Sequence, residues 1–338
     1  MVLMKAYKQT QQGAMLWDCI LHTSIFLYII SYVDDNTIVR HFHHKKSIQE
    51  IIQDMSENLQ VWQKLLQITG GDLCLDKCKI TILKWKQTGE WGKIDWVKKG
   101  KIHDTIKIKS IKNDQKQETL ERLDPDQAER VLRVRIPLTG DMTAELNFRK
   151  ENLKTFCKNL FASPLTTHEA HIAYQTRFKP ISCYPYTVTT FDAKELDEIQ
   201  KGCMKLLLPK MGINRNMPRS VIFGPRCLGG RQIMDQKIEQ PAISYKTTLG
   251  HMRRNDNAGK ALLITLQDSQ IEIGTEEPFF YKDPEVYHYG TDKTRWKYTW
   301  RMVKSFNLTL EIPMMWTPSS SYINDKCIME YAVQDKLY

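Results

Sequence analysis

The sequence predicts an α+β fold, and three observations carry that prediction. A β-branched and aromatic run from Ile25 to Val33 meets Asp34-Asp35 and resumes from Asn36 to Phe42, which reads as strand, acidic turn, strand. Directly behind it Ile48, Ile51, Ile52, Met55, Leu59, Trp62, Leu65 and Leu66 recur at helical spacing. The second half carries further apolar stripes opened by capping signals.

Composition sets the outer bounds. The 338 residues include 49 Lys plus Arg against 39 Asp plus Glu, a formal charge of +10. With 41% hydrophobic and 26% charged residues, neither a disordered tail nor a coiled coil fits. The length suits one large domain or two to three modest ones. A pI near 9.0 fits phosphate-bearing partners, although a merely solvated basic surface has the same composition. The eight cysteines are scattered without a secretory framework, so reduced thiols and an intracellular setting, nucleus or cytoplasm, are expected. Only Cys74 and Cys78 are close, and no second pair completes a zinc site. The apolar stretch Ile20 to Val33 is too short and too polar to span a bilayer, and no small-residue cleavage site follows it. No membrane partner is expected.

Taken in order, residues 1–24 carry no strong pattern, and the hairpin follows. Ser47 with Glu50 is a capping box for the helix 47–69, and Gly70-Gly71 suits a left-handed end. Leu73 to Trp85 reads as another strand. From Lys84 to Lys116 ten lysines face four acids, and Trp91, Ile94, Trp96, Ile102, Ile106 and Ile108 alternate with polar residues, which reads as a lysine-rich β-meander. Val131 to Ile136 is a short strand stopped by Pro137. Beyond Asp141, Leu153, Phe156, Cys157, Leu160 and Phe161 form one helical stripe, and a segment from Thr167 toward Phe178 is bounded by Pro180. Asp192 with Glu195 caps a helix that Pro209 stops. Residues 209–231 read as a Gly/Pro/Arg loop, and a helix runs from about Asp235 to Leu249. The last stretch is rich in aromatic residues without clear periodicity. The expected organisation is therefore 1–87, 88–142, 143–270 and 271–338, the last of undefined fold.

The sharpest chemical feature is Tyr32-Val33-Asp34-Asp35 at a hairpin tip. Adjacent carboxylates repel unless something neutralises them, and Mg²⁺ takes one or two carboxylates plus substrate phosphates. A solvated Asp-Asp turn is the bland alternative. His41, His43 and His44 lack a fixed acidic or cysteine partner, so surface or packing roles are the default. The lysines of the 84–116 segment, Lys98, Lys99 and Lys101 among them, fit backbone phosphate contact or plain solvation equally. Trp85, Trp91 and Trp96 fit sheet packing better than base stacking. Arg215, Arg219, Arg226 and Arg231 sit where guanidinium–phosphate pairing would be natural.

Over about residues 25 to 240 the sequence resembles reverse transcriptases of non-LTR retroelement type. Tyr32-Val33-Asp34-Asp35 matches the family's metal-binding motif C, and the helix 47–69 takes the place of the palm helix behind it. Thr69-Gly70-Gly71-Asp72-Leu73 with Asp76-Lys77-Cys78 resembles motif D. Val131-Leu132-Arg133-Val134 resembles the short element associated with the primer grip, with Arg133 where the family has glycine. Leu208-Pro209 through Gly230 resembles the region after the polymerase core. The resemblance implies a partial palm, a β-rich insert and a helical thumb-like region. It implies RNA-directed DNA polymerase activity, with Asp34 and Asp35 as Mg²⁺ ligands in a two-ion site, Lys77 assisting phosphate chemistry and Tyr32 lining the primer end. Lys98, Lys99, Lys101, Arg215 and Arg219 are candidate nucleic-acid contacts, and RNA template, DNA primer and dNTP the implied partners.

Motif A and motif B have no counterpart here. Only 31 residues precede Tyr32, and Asp18, their one acid, lies in Leu16-Trp17-Asp18-Cys19-Ile20, unlike motif A. The expectation is a chain truncated at its N-terminal side, with an incomplete catalytic set, inactive alone and partnered by a missing polymerase portion. The alternatives are a non-catalytic nucleic-acid-binding remnant or a decayed product that never folds stably.

Overall fold

The computed structural model describes residues 2–10, 13–18, 22–32, 35–42, 46–83, 85–88, 93–96, 106–109, 117–287, 294–312 and 327–335. They form a mixed α and β chain in which helix predominates and every sheet among the described residues has two strands. The chain divides into two compact units. One comprises Met1–Trp17, Ser24–Arg133 and Pro137–Asp141; the other comprises Asp18–Thr23, Val134–Ile136 and Met142–Tyr338.

The first unit opens with helix α1 (Val2–Thr10) and strand β1 (Ala14–Trp17), in a stretch where the sequence shows no pattern. The apolar run that reads as one strand is two: β2 (Ser24–Leu27) pairs antiparallel with β1, and β3 (Ile29–Tyr32) pairs antiparallel with β4 (Asp35–Ile38). The break falls at Tyr28, whose carbonyl accepts the Val39 N–H at 3.1 Å. A run of apolar residues does not say how many neighbours it serves, which is why the split is invisible in sequence. Strand β4 also stops at Ile38, short of the expected Phe42, and just beyond it the Arg40 side chain reaches Asp54.

Helix α2 (Ile48–Ile68) matches expectation closely. Ser47 accepts the Glu50 N–H while the Glu50 carboxylate accepts the Ser47 N–H, the reciprocal capping box. At its far end Gly71 N–H donates to Leu66 and Gly70 N–H to Gln67, with Gly70 at φ +80°, a Schellman stop that only glycine adopts without strain. The helix touches two apolar clusters. Trp62 packs with Tyr7 of α1 and Ile29 of β3, joined by Ile38, Leu65 and Leu73. Leu59 bridges to the second, formed by Leu75, Ile80, Ile82, Ile106 and Leu120. Each large side chain so buried contributes roughly 1.5–3 kcal/mol.

The expected strand from Leu73 to Trp85 shrinks to β5 (Lys79–Thr81). Residues 74–78 form a turn instead, with Lys77 N–H donating to Cys74 and Cys78 N–H to Leu75, and the Cys74 thiol donating to the Asp76 carboxylate at 2.8 Å. Of the lysine-rich segment, residues 84, 89–92, 97–105 and 110–116 lie outside the described residues, and the described parts carry short antiparallel pairs. Strands β6 (Trp85–Thr88) and β7 (Lys93–Trp96) pair with each other, as do β8 (Lys107–Lys109) and β9 (Gln117–Thr119). Strand β5 reaches past them to pair in parallel with β10 (Glu121–Leu123), where Lys79 meets Glu129 at 2.8 Å and Glu121 at 3.7 Å. The expected strand from Val131 to Ile136 is also broken. Strands β11 (Glu129–Val131) and β12 (Val134–Ile136) flank Leu132 and Arg133, both left-handed at φ +46° and +68°.

In the second unit α3 (Thr143–Ala162) buries Leu153, Cys157 and Leu160 in the larger core. Phe161, at the rim of that stripe, is exposed. Helix α4 (Thr167–Ala173) starts on a Thr166–Glu169 capping box and does not end at Pro180. A wide π-type turn over Tyr174–Phe178 relaxes the ladder, and α5 (Lys179–Cys183) continues with the proline in its first turn. Helix α6 (Ala193–Lys210) begins at the Asp192–Glu195 box and carries Pro209 in its last turn, one residue beyond the expected stop. Ile213 N–H then donates to Leu208 and Gly212 N–H to Pro209.

The expected loop contains α7 (Arg219–Phe223) and a tight turn over Arg226–Leu228. Helix α8 (Gln236–Arg254) is capped by Asp235 and outruns the expected Leu249, and α9 (Asn257–Ile273) is capped by Asp256. The aromatic C-terminal stretch forms α10 (Pro284–Tyr287), α11 (Arg295–Ser305) and α12 (Ile328–Gln334). Phe279, Phe280, Trp296 and Trp300 make a second core there with Leu266 and Ile273. Among the described residues no helix is long and apolar enough to cross a membrane.

Candidate active site

The acidic hairpin is built from β3 and β4 in the register Ile29↔Ile38, Ile30↔Thr37, Ser31↔Asn36 and Tyr32↔Asp35. The alternation turns Ile29 and Ile38 toward Trp62 of α2 and leaves Ile30 exposed on the opposite face. The hairpin end therefore stands on a capped helix. Asp35 is exposed at the first position of β4 and forms no ion pair with a described residue. Val33 and Asp34 lie outside the described residues, and of Tyr32 only the backbone pairing with Asp35 is described.

A polar relay behind the hairpin went unread in the sequence. Arg40, just past β4, reaches both carboxylate oxygens of Asp54. Asn58 donates to the Asp54 carbonyl at 2.6 Å and to its carboxylate at 3.1 Å, and the Tyr7 phenol donates to Asn58 at 3.4 Å. Burial pushes the Tyr7 phenol up, opposed by the Arg40 charge and reinforced by that of Asp54. The one signal of this relay in the sequence is a polar i, i+4 pair, Asp54 and Asn58, on an otherwise apolar helix face.

Lys77 is exposed at the end of the turn after Gly71. Leu73, four residues earlier, shares a cluster with Ile29 and Ile38, so this turn belongs to the same packed body as the hairpin. Lys77 makes no hydrogen bond or ion pair with Asp35. Beside it the Asp76 carboxyl is lowered, first by the Cys74 thiol that donates to it and in smaller part by the Lys77 charge.

Lys98, Lys99 and Lys101 lie outside the described residues, as do Trp91, His43 and His44. Trp85 and Trp96 stand directly opposite in β6–β7. Arg215 and Arg219 are exposed in the second unit. Asp18, the one acid ahead of the hairpin, is buried and also belongs to the second unit. Among the described residues no three His, Cys, Asp or Glu side chains cluster as metal ligands.

No protein-family model matches the chain, and no curated protein matches it at a significant level.

Proposed function

We propose that the chain is a reverse-transcriptase-type protein that takes part in RNA-directed DNA synthesis and needs a separate polymerase portion for nucleotidyl transfer. One observation carries the reading: the Tyr32↔Asp35 pairing ends an antiparallel hairpin whose inner face packs on a capped helix, with an exposed lysine turn on the same body, and the sequence sets Asp34 beside Asp35 there. Asp35 is exposed and unpaired among the described residues, which suits a carboxylate that meets a cation rather than a neighbouring arginine.

Asp34 and Asp35 would hold Mg²⁺ together with the phosphates of an incoming dNTP. Magnesium, when bound, supplies charge neutralisation at the reacting phosphates. The chain's own part is orientation: α2 and the Arg40–Asp54 relay fix the hairpin, Tyr32 borders the primer end, and Lys77 offers a cation to phosphate. Lys98, Lys99 and Lys101 add backbone contacts to the template–primer.

The test uses the full chain, a fluorescent DNA primer annealed to RNA, and Mn²⁺ as a paramagnetic probe for Mg²⁺. The reading expects hybrid binding, Mn²⁺ uptake that is lost in Asp34→Ala and in Asp35→Ala, and no primer extension by the chain alone. Mn²⁺ uptake indifferent to both substitutions overturns the metal assignment. Robust dNTP incorporation by the chain alone overturns the need for a separate portion.

A non-catalytic nucleic-acid-binding role is the second reading. It is favoured by residues 199–234, which carry seven Lys and Arg and no Asp or Glu. Hybrid binding and biological effect that both survive Asp34→Ala would select it.

A further inference from the structure

The arginines of that acid-free segment are held on an ordered scaffold. Met211, Ile213, Ile222, Ile233 and Met234 anchor the loop in the larger core of the second unit. Between those anchors the backbone bonds to itself: Arg231 N–H donates to Val221, Gln232 N–H to Gly224, Ile233 N–H to Ile222 and Gly230 N–H to Pro225. Gly224 and Gly230 touch so closely that a Cβ on Gly230 would lie 2.1 Å from the Gly224 carbonyl oxygen. The Tyr174 hydroxyl accepts the Met234 N–H at 2.8 Å and ties the loop's end to the helical body.

Arg215, Arg219, Arg226 and Arg231 are all exposed on this loop, and none forms an ion pair among the described residues. The acids that flank it are engaged elsewhere. Glu198 pairs with Lys150, and Asp197 pairs with Lys201 and Lys237. Asp235 caps α8 and Glu169 caps α4. Arg226 donates to His171 Nε2 at 2.9 Å. Burial first, then the Arg226 and His168 charges, lower the His171 basicity and favour the neutral ring that can accept this bond. The contact aims the Arg226 fork and leaves its other N–H groups available.

Unneutralised, pre-positioned guanidiniums are the chemistry that recognises phosphate, and binding to a fixed loop costs little ordering entropy. We infer that the loop 211–234 is a sequence-independent clamp for the phosphodiester backbone of nucleic acid, with Arg215, Arg219, Arg226 and Arg231 as its contacts. The inference rests on the nucleic-acid reading above but not on the hairpin carboxylates. An acidic protein surface offers carboxylates instead of phosphates and is the competing occupant.

The experiment measures binding of the full chain to fluorescent RNA–DNA hybrids of two unrelated sequences across a salt series. Four backbone contacts give a slope of log affinity against log salt of about −3 to −4. Removing all four arginines as Arg→Gln should flatten the slope by about that amount, each single Arg→Gln by about one, and the fourfold Arg→Lys chain should keep it. Arg215 and Arg219 are exposed, so R215Q and R219Q remain informative should the fourfold variant fail to fold, which circular dichroism reports. The two hybrids should bind alike. An unchanged slope in the folded fourfold variant, or in both singles, overturns the clamp. Poly-glutamate competing as well as nucleic acid at equal charge overturns the phosphodiester assignment. Absence of any hybrid binding by the unaltered chain sinks the functional reading as well, whereas binding with an arginine-independent slope sinks this inference alone.

Discussion

One guanidinium nitrogen of Arg40 sits 3.0 and 2.9 Å from the two carboxylate oxygens of Asp54, tying the chain just beyond β4 to the second turn of α2. Their side chains are 10% and 24% exposed, so each is largely withdrawn from water. Removing Asp54 takes away the carboxylate that both faces the guanidinium and accepts from Asn58. Asp54→Ala is expected to lower stability by about 1–3 kcal/mol, less than for a fully buried pair because some solvent reaches both groups. The double change Arg40→Met with Asp54→Leu should recover most of the loss. Urea titration with hydrogen exchange on α2 reads both effects, and a single variant indistinguishable from the parent would remove the relay from the account of what fixes the hairpin.

Arg133 occupies a left-handed backbone position at φ +68°. A non-glycine residue there costs roughly 1–2 kcal/mol, partly offset by the roughly 0.5–1 kcal/mol of entropy glycine loses on folding. Arg133→Gly should therefore stabilise by roughly 0.5–1 kcal/mol, and Arg133→Val should destabilise. A thermal melt of both variants decides the matter; a glycine variant that melts lower would mean that the side chain's contacts outweigh the backbone term.

Gly230 has no room for a methyl group, because the obstacle is the Gly224 backbone and not a flexible side chain. Gly230→Ala is expected to cost roughly 2–4 kcal/mol, as overpacking against fixed atoms does. Proteolysis should then cut preferentially within 211–234. A stable, uncut variant would show that the two strands of the loop part more easily than their hydrogen bonds imply.

Asp256 caps α9 by accepting the Gly259 N–H, and it also accepts from His251 and Arg254. The Gly259 bond, then the His251 bond, hold its carboxyl down at about 2 against an ordinary 3.8. A depressed folded value means that the ionised form is favoured by folding. Its contribution is complete above about pH 4 and is lost as pH falls through about 2. Asp256→Asn keeps a side-chain oxygen for the cap but cannot ionise. Acid titration of the two proteins should show a steeper loss in the parent between those limits; parallel curves would refute the assignment.

What was legible in the sequence was local. Ser47 with Glu50, Asp192 with Glu195 and the apolar spacing of α2 fix their own elements within a few residues. Gly70 announces its own stop. The hairpin end is legible for the same reason, since the Tyr32↔Asp35 pairing follows from alternation on either side. Illegible features depend on a distant partner. The split at Tyr28 needs β1 to be known, and the parallel match of β5 with β10 bypasses every nearer strand. Pro180 looked like a stop because the sequence does not show the wide turn over Tyr174–Phe178 that lets the helical path continue with the proline in its next first turn, and Pro209 marked the end of α6 to within one residue. The aromatic tail shows no period because Phe279 and Trp300 meet edge to face, with ring centroids 5.3 Å apart, through tertiary packing. Around the hairpin, the position of Asp35 at the strand end was readable and the Arg40–Asp54 contact was not.

Pinning Lys79–Thr81 beside Glu121–Leu123 makes residues 82–120 a covalent loop with fixed feet. Loop-closure entropy grows only logarithmically, so doubling the length of such a loop costs about 0.6 kcal/mol. Added length is cheap there only between the anchors, because Ile82, Ile106 and Leu120 lie buried in one cluster with Ile80 and hold the span at three points.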